Sequence, residues 1–349
     1  MSISSSSRAL AYLALLAAIA YGSARIVDLP LAPDRRLSGF EAVRERVEVV
    51  SLGPSHSRAF HFPAMGLEGY ALNGSGMGIE TSALKLKSIA THSPALRCVL
   101  MPISPGVLSL RDSSMASRQR GWLANTPTYL RAPDLSLRDR ARIATAKLTN
   151  LPQLTLIRES GPHLRDRVSH AIEPGAPCRM TDPTGLSQPD EFGLRHGYPP
   201  VNAPAACHPE MARLTAATHL SRLPPEGPWR DRIQAGNLAL LDKMLNLLAA
   251  QDAHLVLVAT PTTRFYRAEM AQLGSAEIER VTETFGDRAN FHFIDAQDFF
   301  DDHPDPATVF YDDDHLSRTG AEIFSRALRP QIPFCDATTL TGTEAVGPD

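Results

Sequence analysis

The chain has 349 residues and a mass of 37.9 kDa, enough for one large domain or two ordinary ones. Hydrophobic residues make up 43% and charged residues 21% of it, which excludes collagen-like, wholly disordered and polytopic membrane proteins. The net charge is −3, so sequence-independent binding to nucleic acid has no basic surface to drive it, and we expect no nucleic-acid partner.

The first 25 residues predict a membrane-targeting segment. No charged residue lies between Arg8 and Arg25, and residues 9–21 are apolar throughout. This run suits the apolar core of a signal peptide, which has about 7–15 residues, better than a spanning helix of about 17–25. With residues 22–24 it reaches 16 residues, enough for a short anchor. We therefore expect residues 1–25 to be either a signal peptide or an N-terminal membrane anchor.

Alternating strand and helix patterns predict an α/β fold for the rest of the chain. Periodic apolar positions indicate helices at 79–91, 229–250, 265–285 and 317–329. Such alternation predicts a three-layer α/β/α domain around a five-stranded, mostly parallel sheet, whose ligands bind beyond the carboxyl ends of the strands. Five short apolar runs predict the strands, at 46–52, 69–72, 97–103, 254–260 and 290–295.

Residues 106–229 interrupt this alternation, and we interpret them as a cap-like insertion within one domain that spans 26–335. Helical patterns occur in it near 116–130, 136–150 and 208–221, and 173–206 is a loop rich in proline and glycine. The polar tail at 336–349 is expected to be disordered.

The four cysteines do not form the framework of a small disulfide-rich protein. Cys98 lies in an apolar run and is predicted to be a small buried hydrophobic residue. Cys178 and Cys207 bracket the proline-rich loop, where an exported protein could form a disulfide bond. No cysteine and histidine spacing typical of a metal site occurs.

Ser55 is the first candidate for chemistry, because it follows the first predicted strand in the segment Gly53-Pro54-Ser55-His56. A serine at such a corner presents its hydroxyl at the carboxyl edge of the sheet, where a nucleophile belongs. Gly53 permits a tight turn, and the backbone N–H of Ser55 can face a developing oxyanion. Serine and glycine are also common in turns without any catalytic role.

Asp312 and His315 are the second candidate, just before the last predicted helix. Their spacing of three allows the carboxylate to hold the imidazole, which can then take a proton from a serine. Two alternatives remain open. The acidic residues could cap the following helix. A metal ion could instead be bound by some of the acidic and histidine side chains of this region, namely Asp301, Asp302, His303, Asp305, Asp312, Asp313, Asp314 and His315.

A glycine-rich turn after the second predicted strand is the third candidate. Gly74, Gly76 and Gly78 expose backbone N–H groups where a helix begins, a suitable place for an anion. The spacing matches neither a Walker loop nor a dinucleotide fingerprint. A tight turn without a ligand is the alternative.

Together the three segments resemble the SGNH (GDSL-like) hydrolase superfamily, in particular its bacterial exopolysaccharide and cell-wall O-acyltransferase branch. Gly53–His56 is similar to the G-S-S-H serine motif of that branch, and Asn73 to Gly78 is similar to its N-(x)4-G turn. The resemblance covers about 45–105 and 230–330. The most specific match is to an ending F-x-D-x-D-H-L-x-x-x-G-A-x-x-F-S, carried by Phe310, Asp312, Asp314, His315, Leu316, Gly320, Ala321, Phe324 and Ser325.

The resemblance implies a flavodoxin-like strand order and a catalytic triad in which Ser55 is the nucleophile, His315 the general base and Asp312 its orienting partner. It also implies an oxyanion hole made by the backbone N–H groups of Ser55 and Gly78, or less favourably Gly76. One feature departs from the family: many members carry a G-x-N-D block after the third strand, and here no asparagine follows. Loss of one oxyanion donor costs about 2.7–4 kcal/mol of transition-state stabilisation.

The implied function is an exported serine esterase or O-acyltransferase that acts on acyl esters of a cell-surface polysaccharide and needs no cofactor or metal ion. We expect the protein to be periplasmic, held at the inner membrane by its N-terminal segment and associated with a polysaccharide-biosynthesis complex. The alternative is a catalytically inactive SGNH-like protein that binds polysaccharide or serves as a scaffold. The residues expected to contact the substrate are His56, Asn73, Arg264 and Tyr266. For Arg264 and Tyr266 the alternative is the solvated start of a helix without a ligand.

Overall fold

A computed structural model describes residues 35–74, 77–110 and 209–336. No helix within these three ranges is long and apolar enough to cross a membrane. Several predictions lie outside the described residues: the N-terminal segment 1–25, the helices at 116–130 and 136–150, the loop 173–206 with Cys178, the neighbouring Cys207, Gly76, and the tail beyond Asp336.

Five parallel strands form one sheet in the order β2-β1-β3-β4-β5. Each predicted apolar run contains one strand, and the order is flavodoxin-like, so the predicted fold class is confirmed. All residues of β3 are buried, because helices cover both faces of the sheet. The strands are β1 Val49–Ser51, β2 Gly69–Ala71, β3 Cys98–Pro102, β4 His254–Ala259 and β5 Phe291–Asp295.

Eight α-helices occur in the described ranges, and those predicted there are confirmed with ends shifted by at most two residues. Helices α1, α2 and α7 were not predicted, since nine or four residues are too few for a recognisable apolar period. The helices are α1 Arg35–Val43, α2 Phe62–Met65, α3 Ile79–Ile89, α4 Pro209–Ser221, α5 Pro228–Ala249, α6 Arg264–Phe285, α7 Pro306–Val309 and α8 Arg318–Leu328. Short 3-10 turns cover Ser55–Ala59, Ala90–His92, Arg329–Gln331 and Pro333–Cys335.

The helices lie on both sides of the sheet because strand side chains alternate between its faces. On one face, alternate residues such as Leu100 and Val256 join a buried cluster with Phe324 of α8 and Met65 of α2. On the other face, Tyr70 meets the ring of Phe40 from α1, with the centroids 5.5 Å apart. Helix α5 packs against α3 and β4. This arrangement forms the three layers.

The prediction for Cys98 is wrong in one respect: the residue is buried, but it is not a free thiol. It is disulfide-bonded to Cys335, 237 residues later in the chain. Cys335 lies in the last 3-10 turn, which follows α8 in the chain and lies beside the start of β3. Directly after it, Asp336 pairs with Arg329. The bond therefore joins the end of the described chain to the centre of the sheet.

Backbone hydrogen bonds tie the loops together at the carboxyl edge of the sheet. Gly53 has a φ of +111°, and a Cβ there would lie 3.0 Å from the Pro102 ring, so the turn after β1 requires glycine. The carbonyl of Gly53 accepts the N–H of Gly74 at 3.1 Å, which joins the turns after β1 and β2. The Thr263 N–H donates to the Asp313 carbonyl at 3.0 Å, which joins the segment after β4 to the loop before α8.

Candidate active site

Ser55 begins the 3-10 turn Ser55–Ala59, which side-chain hydrogen bonds hold in place. In the middle of the turn, the Ser57 hydroxyl donates to the Leu52 carbonyl at 2.8 Å. At its end, the Ser325 hydroxyl of α8 donates to the Ala59 carbonyl at 3.0 Å and accepts the His61 N–H at 2.7 Å. Ser325, the serine of the C-terminal motif, thus holds the end of the turn that contains Ser55.

The loop with the Asp312 and His315 pair is closed by an antiparallel bridge between Phe310 and Leu316. Within it, Asp312 Oδ1 accepts the backbone N–H groups of Asp314 at 3.1 Å and His315 at 2.8 Å. These bonds fold the loop over the carboxylate of Asp312, so that both the carboxylate and the imidazole point to the same side.

Helix α8 is capped by Ser317 and not by the aspartates. The Ser317 hydroxyl accepts the Gly320 N–H at 3.1 Å and donates to the Thr308 carbonyl at 2.6 Å. A Cβ on Gly320 would lie 2.0 Å from the Val309 carbonyl oxygen, so only glycine permits this approach. The capping alternative for Asp312 is therefore removed.

Ser55, His315 and Asp312 form a continuous series of hydrogen bonds. Ser55 Oγ lies 2.6 Å from His315 Nε2, although the two residues are 260 positions apart in the sequence. His315 Nδ1 lies 2.9 Å and 3.0 Å from the two Asp312 carboxylate oxygens. When Nδ1 carries the proton donated to Asp312, the lone pair of Nε2 faces the serine hydroxyl and can accept its proton.

A second carboxylate, that of Asp314, contacts the same imidazole. Its Oδ1 lies 3.0 Å from His315 Nδ1, and its Oδ2 lies 3.2 Å from His56 Nε2. The two imidazole rings are stacked, with centroids 4.7 Å apart and an angle of 12° between planes. His219 of α4 approaches from the insertion, with its Nδ1 3.7 Å from Asp314 Oδ2. Asp314 is only 2% exposed, against 29% for Asp312.

These contacts shift the pKa values of the site in opposite directions. Burial disfavours the charged imidazole of His315, but the carboxylates of Asp312 and Asp314 outweigh it and raise its pKa well above 6.5. Burial would raise the pKa of Asp314, yet His315 and His56 hold it well below its usual value. Burial lowers the pKa of His219. The site therefore holds an imidazolium–carboxylate pair until the pH rises above the raised pKa of His315.

A shallow depression lies beside the serine hydroxyl. The segment that follows β4 forms one wall, and the turn that begins with Ser55 forms the other. The His315 side chain, which is 21% exposed, lies at the surface of this depression. The lining residues are Ser55, His56, Arg58, Ala59, Thr260, Pro261, Asp314, His315 and Leu316.

Other predicted site residues differ in how accessible they are. His56 and Asn73 are buried, and within the described ranges the Asn73 Oδ1 has no hydrogen-bond partner. Tyr266 is also buried, and its hydroxyl lies 2.7 Å from His219 Nδ1. Arg264 is exposed at the start of α6, and its guanidinium lies over the Phe265 ring. The substrate contacts of these residues stay predictions.

Gly78 immediately precedes α3, at the place where the glycine-rich turn was expected to expose N–H groups. The oxyanion role of Gly78 stays a prediction.

Sequence reasoning missed the contributions of Asp314 and His219 to the site. The sequence marks Asp314 only as part of the C-terminal motif and of the possible capping or metal cluster. Its position directly before His315 is the available signal. His219 belongs to the insertion, 95 positions before Asp314 and 47 before Tyr266, and no local pattern marks it.

Of the residues considered above for a metal site, Asp314 and His315 lie close together, whereas Asp301 and Asp305 have other partners. Asp301 pairs with Arg267, and the side chain of Asp305 caps α7 by accepting the Ala307 N–H at 3.2 Å. Within the described ranges, one group of three possible donor atoms lies within 4.8 Å, from His56, Asp314 and His315. Asp314 contacts both histidines, through a hydrogen bond to His56 and an ion pair with His315.

No protein-family model matches the chain, and a search of curated proteins finds no match. The fold and the site nevertheless define a structural class: a three-layer α/β/α protein with a serine, a histidine and an aspartate in series at the carboxyl edge of its sheet.

Proposed function

We propose that the protein is an SGNH-type serine esterase or O-acyltransferase that acts on acyl esters of a cell-surface polysaccharide. The observation that carries this proposal is the series Ser55 Oγ, His315 Nε2 and Nδ1, and Asp312 carboxylate, with separations of 2.6 Å and 2.9 Å. This is the order in which nucleophile, base and orienting carboxylate must stand for covalent acyl transfer.

The reaction follows from this order. His315 Nε2 takes the proton of Ser55 as its oxygen attacks the acyl carbonyl, and Asp312 stabilises the imidazolium. His315 then returns the proton to the departing alcohol, which leaves an acyl group on Ser55. In the second half, water or a sugar hydroxyl attacks the acyl carbonyl while His315 accepts its proton. Collapse of this second intermediate returns the proton to Ser55 and releases the acid or the acylated sugar.

The segment after β3 is bound to a buried glutamate, at the place where many SGNH enzymes supply an oxyanion-binding asparagine. The Glu277 carboxylate accepts the backbone N–H groups of Gly106 at 2.8 Å and Ser109 at 3.1 Å, and the Ser109 hydroxyl at 2.7 Å. These N–H groups are therefore not available to a substrate. In our proposal the oxyanion is held by the N–H groups of Ser55 and Gly78.

The disulfide bond supports an exported location. Buried disulfide bonds such as Cys98–Cys335 form and persist in oxidising compartments, including the bacterial periplasm. Together with the apolar segment 9–21, it favours a periplasmic protein anchored to the inner membrane. The proposed partners are an acylated carbohydrate or cell-envelope polymer and a polysaccharide-biosynthesis complex.

A fluorophosphonate probe tests the proposal, because it reacts covalently with an activated serine. We expect it to label the wild-type protein at Ser55 and to leave Ser55→Ala unlabelled. The matched control is Ser275→Ala, which removes an exposed serine hydroxyl on α6 and should be labelled like the wild type. Hydrolysis of a small acetyl ester should fall by a factor of roughly 10⁴ or more in Ser55→Ala. Folded wild-type protein that is neither labelled nor active would favour the inactive polysaccharide-binding alternative.

A further inference from the structure

Asp314 is enclosed by three histidines that come from three different parts of the fold. His315 precedes α8, His56 lies in the turn after β1, and His219 lies on α4 at the end of the insertion. Their nearest ring nitrogens lie 3.0 Å, 3.2 Å and 3.7 Å from the Asp314 carboxylate. A carboxylate that is 2% exposed is costly to bury unless such partners compensate its charge.

The two oxygens of this carboxylate serve two parallel rings. Oδ1 faces His315 Nδ1, and Oδ2 faces His56 Nε2, while the ring planes differ by only 12°. An ionised carboxylate only accepts hydrogen bonds, so each of these nitrogens must carry a proton. His315 then keeps a proton on Nδ1, and when the imidazolium loses its other proton the lone pair of Nε2 becomes available to Ser55. His56 is protonated at Nε2, and its buried Nδ1 has no partner within the described ranges.

We propose that Asp314 is a positioning residue of the site, whose carboxylate holds the imidazoles of His315 and His56 in parallel and fixes the proton-bearing nitrogen of each ring. The catalytic part of this role rests on the proposed function. Asp312 orients the same imidazole of His315, so the base is held by two carboxylates. The more exposed one, Asp312, also folds the loop, and the buried one, Asp314, connects the base to the serine turn through His56.

The charge of Asp314 also affects how readily His315 loses its proton. A carboxylate near an imidazolium stabilises the charged form, so replacing Asp314 by asparagine should lower the pKa of His315. Asp312 remains in that variant and keeps part of the effect. The titratable and charged groups around this region include Asp312, Asp313, Asp314, His56, Arg58, His219, Arg222 and Tyr266.

Histidine NMR tests this role without any substrate. Nitrogen chemical shifts of the imidazole rings report which nitrogen is protonated and at what pH, in the folded protein. In the wild type we expect His56 to be protonated at Nε2 and His315 to titrate well above 6.5. In Asp314→Asn we expect the pKa of His315 to fall by about one pH unit or more. The control Asp298→Asn, which removes an exposed carboxylate, should leave this pKa unchanged.

Two results would overturn the proposal. One is a His315 pKa that is the same in Asp314→Asn and in the wild type, and the other is a wild-type His56 that carries its proton on Nδ1. The second result needs no variant, so it decides the question even if Asp314→Asn does not fold. His56→Gln provides a further check, because it removes a neighbouring imidazole without removing a carboxylate and should not lower the pKa of His315.

The NMR result is independent of whether Ser55 is a nucleophile. If the fluorophosphonate probe fails to label Ser55 while the pKa of His315 falls in Asp314→Asn, the proposed function is wrong and the positioning of His315 by Asp314 stands. If Ser55 is labelled and the pKa does not change, the function stands and the role of Asp314 is rejected. In an active protein, the acidic limb of the labelling rate should move to lower pH in Asp314→Asn.

Discussion

In this site two carboxylates contact the histidine, whereas an ordinary triad has one. We therefore expect Asp312→Asn to slow acyl transfer much less than the corresponding change slows an ordinary triad. The asparagine oxygen can still accept the backbone N–H groups that Asp312 Oδ1 binds, so the loop keeps its shape. Its amide nitrogen cannot accept the proton of His315 Nδ1. In serine proteases the equivalent change lowers kcat by about 10⁴, because the imidazole adopts the wrong tautomer.

Here Asp314 Oδ1 remains 3.0 Å from the same His315 nitrogen and can keep the proton there. We therefore expect Asp312→Asn to lower kcat/KM by about 10²-fold, or about 2.7 kcal/mol of transition-state stabilisation. Asp314→Asn alone should lower it by less than about fivefold, since the bidentate contact of Asp312 persists. The double variant should lose about 10⁴-fold, or about 5.4 kcal/mol. This exceeds the product of the single losses, as expected when two groups can replace each other.

The assay is the hydrolysis of an acetyl ester by all four proteins, each on the alkaline plateau of its own pH profile. Measurement on the plateau separates the loss of orientation from the change in the pKa of His315. Thermal denaturation of each variant shows that the fold is retained. If Asp312→Asn is as slow as the double variant, Asp314 does not hold the imidazole and the reasoning is wrong.

Three further predictions concern the pH dependence and the stability of the protein. The rate of fluorophosphonate labelling should increase with pH through a midpoint above 6.5, because His315 must lose its proton before it can act as a base. Replacing Cys98 and Cys335 together by alanine should lower the free energy of unfolding by about 3–5 kcal/mol, since their separation of 237 residues closes a very long loop. Glu277→Ala should cost about 2–4 kcal/mol, because the backbone N–H groups it binds lose their buried partner. Guanidinium denaturation measures both losses of stability.

Each of these predictions has a contrary outcome. A labelling midpoint at or below 6.5 would mean that the two carboxylates do not hold His315 in its charged form. If the cysteine double variant loses less than about 1 kcal/mol of its free energy of unfolding, the loop-entropy argument is wrong. The disulfide bond would then not restrict the unfolded chain as that argument assumes. An equally small loss in Glu277→Ala would mean that the segment after β3 finds other acceptors.

Much of the fold could be predicted because its determinants are local. An apolar run such as 254–260 forms β4 because both faces of that strand are buried, and the periodic apolar positions of 229–250 form α5 because they give the helix one buried face. Ser55 follows the first strand directly, and Asp312 and His315 are three residues apart. Since parallel strands end at one edge of the sheet, the alternation also indicated that these segments would meet.

The amino-acid sequence by itself thus determined the strand and helix pattern and the side chains that could do the chemistry. The tertiary structure alone decided which distant residues touch: Cys98 with Cys335, His219 with Asp314, and Glu277 with the segment after β3. The physical reason is that local patterns record whether a residue is buried. They do not record which distant residue becomes its partner in a hydrogen bond or a disulfide bond. Here the packing of helices and loops brings together partners that are 95 to 237 positions apart.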